Sequence, residues 1–332
     1  MKRLLPCLLL VLLAGGLHGA AAASAAGPAM PPAEAVIPAE TAQDWFTVSP
    51  KNDILEGAIF DAQGNLLFCD VSRRSVMRLT PEKQLSTLLE VPGMGVGGLA
   101  LHKDGRLFMA ALDLARGAGA ILAWSRETGN IETIVPVEAG YWPNDVALAP
   151  DGGLYFSDFR GSATEPEGGV YYVSPNFRSV TPVIPHLAQA NGVALSPDGK
   201  TLWATEFAAN RLHRARLDGP ATVSPIGSAV PYHFTGAAPD SMRVDSAGNV
   251  YVALYGQGRV LCFDKNGIPL RQILLPGRDE GKNLLSTSLA VDPANPGLLI
   301  VASNEAADAP AQIFRARALA PGQPPAAQSR TE

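Results

Sequence analysis

The chain of 332 residues is 47% hydrophobic and 17% charged, with a formal net charge of −5 at pH 7. This composition predicts a globular protein with a large buried core and excludes a disordered chain. Because the balance is acidic and no run of Lys or Arg exceeds two residues, nucleic acid and anionic membrane surfaces are poor candidate partners.

The first 25 residues have the pattern of a targeting segment. Lys2 and Arg3 precede the apolar stretch "LLPCLLLVLLAGGL", which leads into the small-residue run "GAAAASAAG". This order is typical of a secretory signal peptide, and the stretch is short for a membrane span. We therefore expect residues 1–25 to be removed, leaving an exported protein, periplasmic or secreted, without membrane insertion. An uncleaved anchor is the alternative.

Six later segments resemble one another and recur every 41 to 49 residues. They begin at Glu56, Gly97, Asn144, Asn191, Asp240 and Thr287. Each contains a short apolar strand, a turn rich in Asp, Asn and Gly, and a second apolar strand, which is the pattern of a β-hairpin. Further strand-like pieces between them bring the number to about four strands per repeat, a count typical of propeller blades. The sequence therefore predicts an all-β, six-bladed β-propeller over residues 36–317.

The two ends of the predicted propeller have different expected roles. The stretches "QDWFTVSP" near the start and "AQIFRARAL" near the end are expected to complete one blade together and close the ring. Residues 318–332, rich in Pro, Ala and Gln, are expected to form a disordered tail. Cys69 and Cys262 lie in strand-like runs far apart in sequence, so we expect two buried thiols.

The first position of each repeat carries polar residues where a buried strand is normally apolar. Because the innermost strands of a propeller surround the central tunnel, side chains at this position form a ring. Glu56, Asn144, Asn191 and Asp240 would supply a donor set of oxygen atoms alone, which suits Ca²⁺. The absence of His and Cys from the register disfavours zinc. We expect a metal site at the mouth of the tunnel; the alternative is that these residues cap turns through backbone hydrogen bonds.

Several long motifs resemble the senescence marker protein/gluconolactonase family of calcium-dependent, six-bladed propellers. They are "LEGAIFD", "PNDVALAPDGGLYFSD", "ANGVALSPDGKTLW" and "PDSMRVDSAGNVYVA". The segment "TEFAANRLHRARL" is similar to the drug-responsive lactonase branch of that family. The resemblance implies a calcium-dependent lactone or ester hydrolase with one catalytic ion held by Glu56, Asn144, Asn191 and Asp240. It also implies proton transfer by Asp240 and a place for Ser241 beside the metal.

Two departures from the lactonase branch bear on its calcium sites. Asn144 stands where the branch has Asp, so this site carries one negative charge fewer. The loop "VPVEAGYWPND" has Pro136 and Ala139 where oxygen-bearing side chains would hold a second ion. We therefore expect this chain to bind the catalytic calcium ion of the branch but not its second calcium ion.

The loops before two inner strands carry candidates for a substrate pocket. Tyr141 and Trp142 precede the third inner strand, and Tyr232, His233 and Phe234 precede the fifth. We expect these side chains to line a pocket above the metal, with ordinary loop packing as the alternative. Asp145 follows Asn144, and strand alternation is expected to turn its side chain the other way, towards backbone groups.

Three functions agree with these residues. The leading hypothesis is a small-molecule lactone or ester hydrolase with Asp240 as general base; direct attack by Asp240 is an alternative mechanism. A second is a non-catalytic, calcium-holding propeller that binds a small ligand or protein partner. A third is a phosphotriester hydrolase that uses the same site.

Overall fold

The computed structural model describes residues 26–113, 116–304 and 309–325. Apart from two short 3-10 helices, Val137–Ala139 and Arg278–Glu280, the regular structure of these residues is β. No helix in this part of the chain is long and apolar enough to cross a membrane. The predicted signal peptide lies outside the described residues.

The strands form six antiparallel sheets, which we number as blades 1 to 6 in chain order. Two early strands, β1 (Ala39–Thr41) and β2 (Gln43–Ser49), join the last two blades. Blade 1 contains β3 (Leu55–Phe60), β4 (Leu66–Asp70), β5 (Ser75–Leu79) and β6 (Leu85–Glu90). Blade 2 contains β7 (Gly95–Leu101), β8 (Arg106–Asp113), β9 (Ala118–Ser125) and β10 (Ile131–Val135). Blade 3 contains β11 (Pro143–Leu148), β12 (Leu154–Asp158), β13 (Gly168–Val173) and β14 (Val180–Leu187).

The remaining blades each have an additional strand or a partner from the start of the chain. Blade 4 contains β15 (Ala190–Leu195), β16 (Thr201–Glu206), β17 (Arg211–Gly219), β18 (Thr222–Val223) and β19 (Ala229–His233). Blade 5 contains β20 (Pro239–Val244), β21 (Val250–Leu254), β22 (Arg259–Phe263) and β23 (Pro269–Leu274), with β1 added in parallel. Blade 6 contains β24 (Leu285–Val291), β25 (Gly297–Ser303) and β26 (Ala311–Arg317), with β2 as its outer strand.

The first strand of each blade packs against the first strands of both neighbouring blades, which closes a ring around a central tunnel. The ring is completed by β2, which pairs antiparallel with β26 through partners such as Phe46 and Ile313. The predicted six-bladed propeller and its closure by the two ends of the chain are therefore confirmed. One hydrophobic core fills each of the six interfaces between adjacent blades. Cys69 and Cys262 are buried, unpaired thiols in two of these cores, as expected.

Both ends of the propeller extend further than the sequence suggests. Glu34 is 2% exposed and forms an ion pair with Arg259 of blade 5.

At the C-terminal end, residues 318–325 pack on the ring instead of forming a disordered tail. The Gln323 amide donates to the carbonyls of Leu195 (3.1 Å) and Val244 (3.2 Å). These carbonyls lie at the ends of two inner strands, which explains why the segment is held there. Residues 326–332 lie outside the described part of the chain.

Candidate functional site

All six inner strands shift register at their first residues, where a β-bulge interrupts the pairing with the second strand. In β11 the bulge contains Asn144 and Asp145, in β15 it begins with Asn191, and in β20 it contains Asp240 and Ser241. In β3 it follows Glu56. A bulge changes the direction of the side chains that it contains. The predicted polar register therefore lies within or directly beside a ring of bulges at one end of the tunnel.

The structure brings the side chains of Glu56, Asn191, Asp240 and Ser241 together, and we call these four residues the oxygen cluster. The hydroxyl of Ser241 donates to Glu56 Oε2 at 3.4 Å, which joins blade 5 to blade 1. The Asn191 side chain lies beside the Asp240 carboxylate and lowers its pKa, against the larger effects of burial and of Glu56. Asn191, Asp240 and Ser241 are each no more than 3% exposed. Asn144, half-buried, occupies the same register on the neighbouring strand β11.

Two buried oxygen atoms of the cluster, Asn191 Oδ1 and Asp240 Oδ1, have no hydrogen-bond donor among the described residues. An unsatisfied buried acceptor destabilises a fold by about 1–3 kcal/mol, and more when it is charged. Such atoms are rare unless a ligand, water or ion completes their coordination. Two of them side by side therefore indicate a place for a bound cation.

The electrostatics of the two carboxylates agree with this interpretation. Burial raises the pKa of Glu56 to about 8, with a further contribution from the charge of Asp145. Burial, followed by the charge of Glu56, raises the pKa of Asp240 well above its ordinary value. Two neighbouring carboxylates, one buried and one half-buried, repel each other when both are ionised. A cation between them would remove that repulsion.

The donor set fits calcium by its chemistry. The described residues contain no group of three or more His, Cys, Asp or Glu side chains arranged for a metal ion. The oxygen cluster instead combines two carboxylates with amide and hydroxyl oxygens. Calcium accepts 6 to 8 such oxygens in irregular geometry and leaves positions for water or substrate, whereas zinc prefers nitrogen and sulfur ligands.

Two buried hydroxyl groups connect the strands that carry the cluster. Ser157 Oγ accepts from the backbone N–H of Asp145 at 2.9 Å and donates to the carbonyl of Asn191. Thr205 Oγ1 accepts from Gly192 N–H at 2.7 Å and donates to the carbonyl of Asp240 at 2.8 Å. The two hydroxyls thus bridge β11 to β15 and β15 to β20. Sequence reasoning missed them, although both precede the acidic residue that ends the second strand.

Trp142 directly precedes β11 and lies beside the ring of bulges. Its backbone N–H donates to Asp158 Oδ1 at 2.8 Å, and its ring meets Phe159 edge to face at 6.2 Å. The side chain is 5% exposed, and its indole N–H has no partner among the described residues. Trp142 therefore offers a buried hydrogen-bond donor two residues before Asn144.

Three further aromatic residues continue from Trp142 across blades 3 to 5. Phe159 contacts Phe207 at 5.3 Å, and Phe207 contacts Tyr255 at 5.9 Å. We call Trp142 and these three rings the aromatic arc. Phe159, Phe207 and Tyr255 each follow the second strand of a blade, which ends on the same face as the oxygen cluster. Their repeated position in "SDF", "TEF" and "ALY" was the signal that sequence reasoning missed.

The expected wall position of Tyr141 is wrong. Its ring packs against Phe156 at 5.2 Å and Tyr171 at 4.7 Å, within the core between blades 2 and 3. Neighbouring residues of an extended chain point to opposite sides. Since Trp142 turns towards Phe159 and blade 4, Tyr141 turns towards blade 2.

The residues before the fifth inner strand also differ from the prediction. Tyr232 donates to Glu34 at 2.7 Å and packs against Phe263, and Phe234 is buried in the same core between blades 4 and 5. His233 is exposed and lies opposite Arg211 on the outer strand β19. Because three strands of blade 4, β15, β16 and β17, lie between β19 and the tunnel, these side chains serve packing and the outer surface.

Asp145 points away from the cluster and towards backbone groups, as expected. It is fully buried and accepts from the N–H groups of Val146 at 2.9 Å and Val193 at 3.3 Å. Its partner in an ion pair is Arg243, at 2.9 Å. This pair lies one layer deeper in the tunnel than the oxygen cluster.

Comparison with known proteins places the chain among relatives of the same architecture. The family described as SMP-30/Gluconolactonase/LRE-like region matches residues 54–281. The chain is 44% identical to "Lactonase drp35" of Staphylococcus saprophyticus over 298 residues, which cover 88% of this chain and 92% of that protein. It is 45% identical to "Lactonase drp35" of Staphylococcus aureus over 269 residues, covering 80% of this chain and 83% of that protein.

The fold has a counterpart among solved structures. The crystal structure of the calcium-binding protein regucalcin from Agrobacterium tumefaciens matches with a TM-score of 0.69 and 21% identity, and the match covers 86% of this chain and 98% of that one. This likeness shows the fold alone. Because the family match spans most of the chain and the 44% identical relative aligns over nearly all of it, this chain belongs to the SMP-30/gluconolactonase/LRE-like family.

Proposed function

We propose that this protein is a calcium-dependent hydrolase that opens lactones or related esters of small molecules. The observation that carries the proposal is the oxygen cluster, in which Asn191 Oδ1 and Asp240 Oδ1 are buried without a donor at the mouth of the tunnel. Its relatives named lactonase support the choice of substrate class.

The residues that would hold the calcium ion are Glu56, Asn144, Asn191 and Asp240, with Ser241 beside them. A bound calcium ion supplies a Lewis acid that polarises the substrate carbonyl and favours the developing oxyanion. Glu56 and Asp240 contribute the negative charge of the site, and the two Asn side chains contribute neutral oxygens. Ser241 orients Glu56 through its hydrogen bond.

Asp240 is the proposed general base. Its Oδ1 is buried and has no hydrogen-bond donor among the described residues, and the Asn191 side chain lies beside the carboxylate. In its ionised form the Asp240 carboxylate takes a proton from the attacking water, and the carboxyl group later returns it to the ring oxygen that leaves. General acid–base catalysis of this kind contributes about 10²–10⁴-fold to a rate.

The aromatic arc is the proposed wall for the substrate. Its rings border blades 3 to 5, on the side of the cluster that contains Asn144, Asn191 and Asp240. The Trp142 indole N–H is the buried donor that would hold a substrate oxygen in position. Apolar walls with a few fixed polar groups are typical of small-molecule sites.

The decisive experiment measures hydrolysis of sugar lactones, aromatic lactones, aryl esters and an organophosphate triester. Each substrate is tested with purified protein before chelation, after chelation and after calcium is restored. We expect lactone hydrolysis that disappears with the chelator and returns with calcium. Calcium binding without turnover of any substrate would favour the binding protein, and turnover of the phosphotriester alone would favour the third hypothesis.

We further propose that the mature protein is exported after removal of residues 1–25. The charged start, apolar stretch and small-residue run of this segment support the proposal. Fractionation of the producing cells and mass spectrometry of the purified N-terminus test it. A cytoplasmic protein that retains Met1 or residues close to it would contradict export.

A further inference from the structure

The ion pair between Asp145 and Arg243 crosses the interior of the ring from blade 3 to blade 5. Arg243 Nη1 lies 2.9 Å from Asp145 Oδ2, with the Asp145 side chain fully buried and the Arg243 side chain 16% exposed. The pair holds these two blades together although blade 4 separates them in sequence and in the ring.

The same two side chains also bond to backbone groups of other inner strands. Arg243 donates from Nε to the carbonyl of Ala58 in β3 at 3.3 Å and from Nη1 to its own strand at Met242, at 2.7 Å. Asp145 Oδ2 accepts from the N–H of Val193 in β15 at 3.3 Å. One ion pair thus contacts β3, β11, β15 and β20.

These four strands are the ones that carry the proposed calcium ligands, and each attachment lies close to a ligand. Ala58 is two residues after Glu56, and Val193 is two residues after Asn191. Asp145 directly follows Asn144, and Arg243 is three residues after Asp240. At about 3.3 Å per residue along a strand, every attachment is within roughly 10 Å of its ligand.

We propose that Asp145 and Arg243 are positioning residues whose ion pair sets the separation of the four strands and so preorganises the calcium ligands. This inference rests on the proposed function, because it assigns the pair to the calcium site. Groups that orient metal ligands without touching the metal typically change metal affinity by 10–100-fold when they are removed. The guanidinium of Arg243 fixes this geometry because its nitrogens bond to Asp145 in β11 and to the Ala58 carbonyl in β3 at the same time.

The test compares two double variants that each neutralise a buried ion pair. Asp145→Asn with Arg243→Met removes the proposed positioning pair without leaving one charge unpaired. Glu34→Gln with Arg259→Met removes another buried pair, between the N-terminal segment and blade 5, whose side chains are 3% and 0% exposed. Calcium affinity is measured by isothermal titration calorimetry on the full mature protein, and folding is checked by circular dichroism and by the midpoint of thermal unfolding.

We expect the first double variant to bind calcium 10–100-fold more weakly and the second to bind within threefold of the unaltered protein, although both unfold at lower temperature. Equal calcium affinity in the unaltered protein and a folded Asp145→Asn/Arg243→Met variant would overturn the proposal. An equal loss in both double variants would also overturn it, because general destabilisation would then explain the effect.

If the first double variant does not fold, the single variant Arg243→Lys tests the positioning role instead. Lysine keeps a positive charge near Asp145 but lacks the second nitrogen that reaches Ala58. We expect at least threefold weaker calcium binding, and unchanged binding would overturn the positioning role. Failure of the unaltered protein to bind calcium would instead contradict the proposed function, so the two failures are distinguishable.

Discussion

At the scale of single residues, Asp240 combines the features that a base at a calcium site needs. It is 3% exposed, its Oδ1 has no protein donor among the described residues, and the Asn191 side chain lies beside its carboxylate. Replacement by Asn keeps the shape and one ligand oxygen but removes the group that accepts the proton. We expect Asp240→Asn to lower kcat for a lactone by about 10²–10⁴-fold at saturating calcium. The check is steady-state kinetics beside a thermal melt, and a folded variant with kcat within tenfold of the unaltered protein would exclude the base role.

Trp142 allows a test of substrate positioning with little change in packing. Trp142→Phe removes the indole N–H and keeps an aromatic ring against Phe159. A single hydrogen bond contributes about 0.5–1.5 kcal/mol, so we expect KM to rise by roughly 2–12-fold with kcat changed less. Trp124→Phe, at a half-buried position in blade 2, is the matched control and should leave both constants unchanged. An unchanged KM for Trp142→Phe would show that the donor does not bind substrate.

At the scale of elements, the bulges and the hydroxyl bridges explain how six similar hairpins form one asymmetric site. The hairpins were predictable, because their Asp-Gly turns require glycine in the left-handed region: Gly105 and Gly152, for example, have φ of 87° and 96°. The polar register was predictable too, since five of its six members precede a turn glycine by a constant eight residues. The bulges were not, because a bulge is a register shift between two strands and leaves no residue type of its own.

The Thr205 bridge gives a prediction at this scale. Thr205→Val keeps the shape of the side chain but leaves Gly192 N–H and the Asp240 carbonyl without their partner. An unsatisfied buried group costs about 1–3 kcal/mol, so we expect a loss of that size in the free energy of unfolding. Denaturant titration measures it, with Thr201→Val on the same strand as control. A loss no larger than that of the control would mean that the bridge does not stabilise β15 and β20.

At the scale of the whole molecule, the sequence predicted the ring of six blades but not the residues that pack along and across its central tunnel. The tunnel beyond Arg243 is a cavity of about 250 Å³, and residues 322–325 lie along its far end. The composition of residues 318–332, rich in Pro, Ala and Gln, suggested a solvated segment there. Its packing depends on the Leu195 and Val244 carbonyls, which come together when the blades close. In the aromatic arc, likewise, Phe159, Phe207 and Tyr255 are almost fifty positions apart in sequence, and only the closed ring makes them neighbours.

A calcium ion held by blades 1, 3, 4 and 5 would link two-thirds of the ring, so its binding and the stability of the molecule are coupled. A ligand that binds only the folded state stabilises it by about 2.7 kcal/mol when its free concentration is 100 times Kd. We expect calcium at that level to raise the free energy of unfolding by about this amount, and a chelator to reverse the gain. Glu56→Gln with Asp240→Asn, which removes both carboxylates of the cluster, is the control and should lose most of the gain. A chelated protein as stable as the calcium-supplemented one would show that no ion joins the blades, while an equal gain in the control variant would place the ion elsewhere.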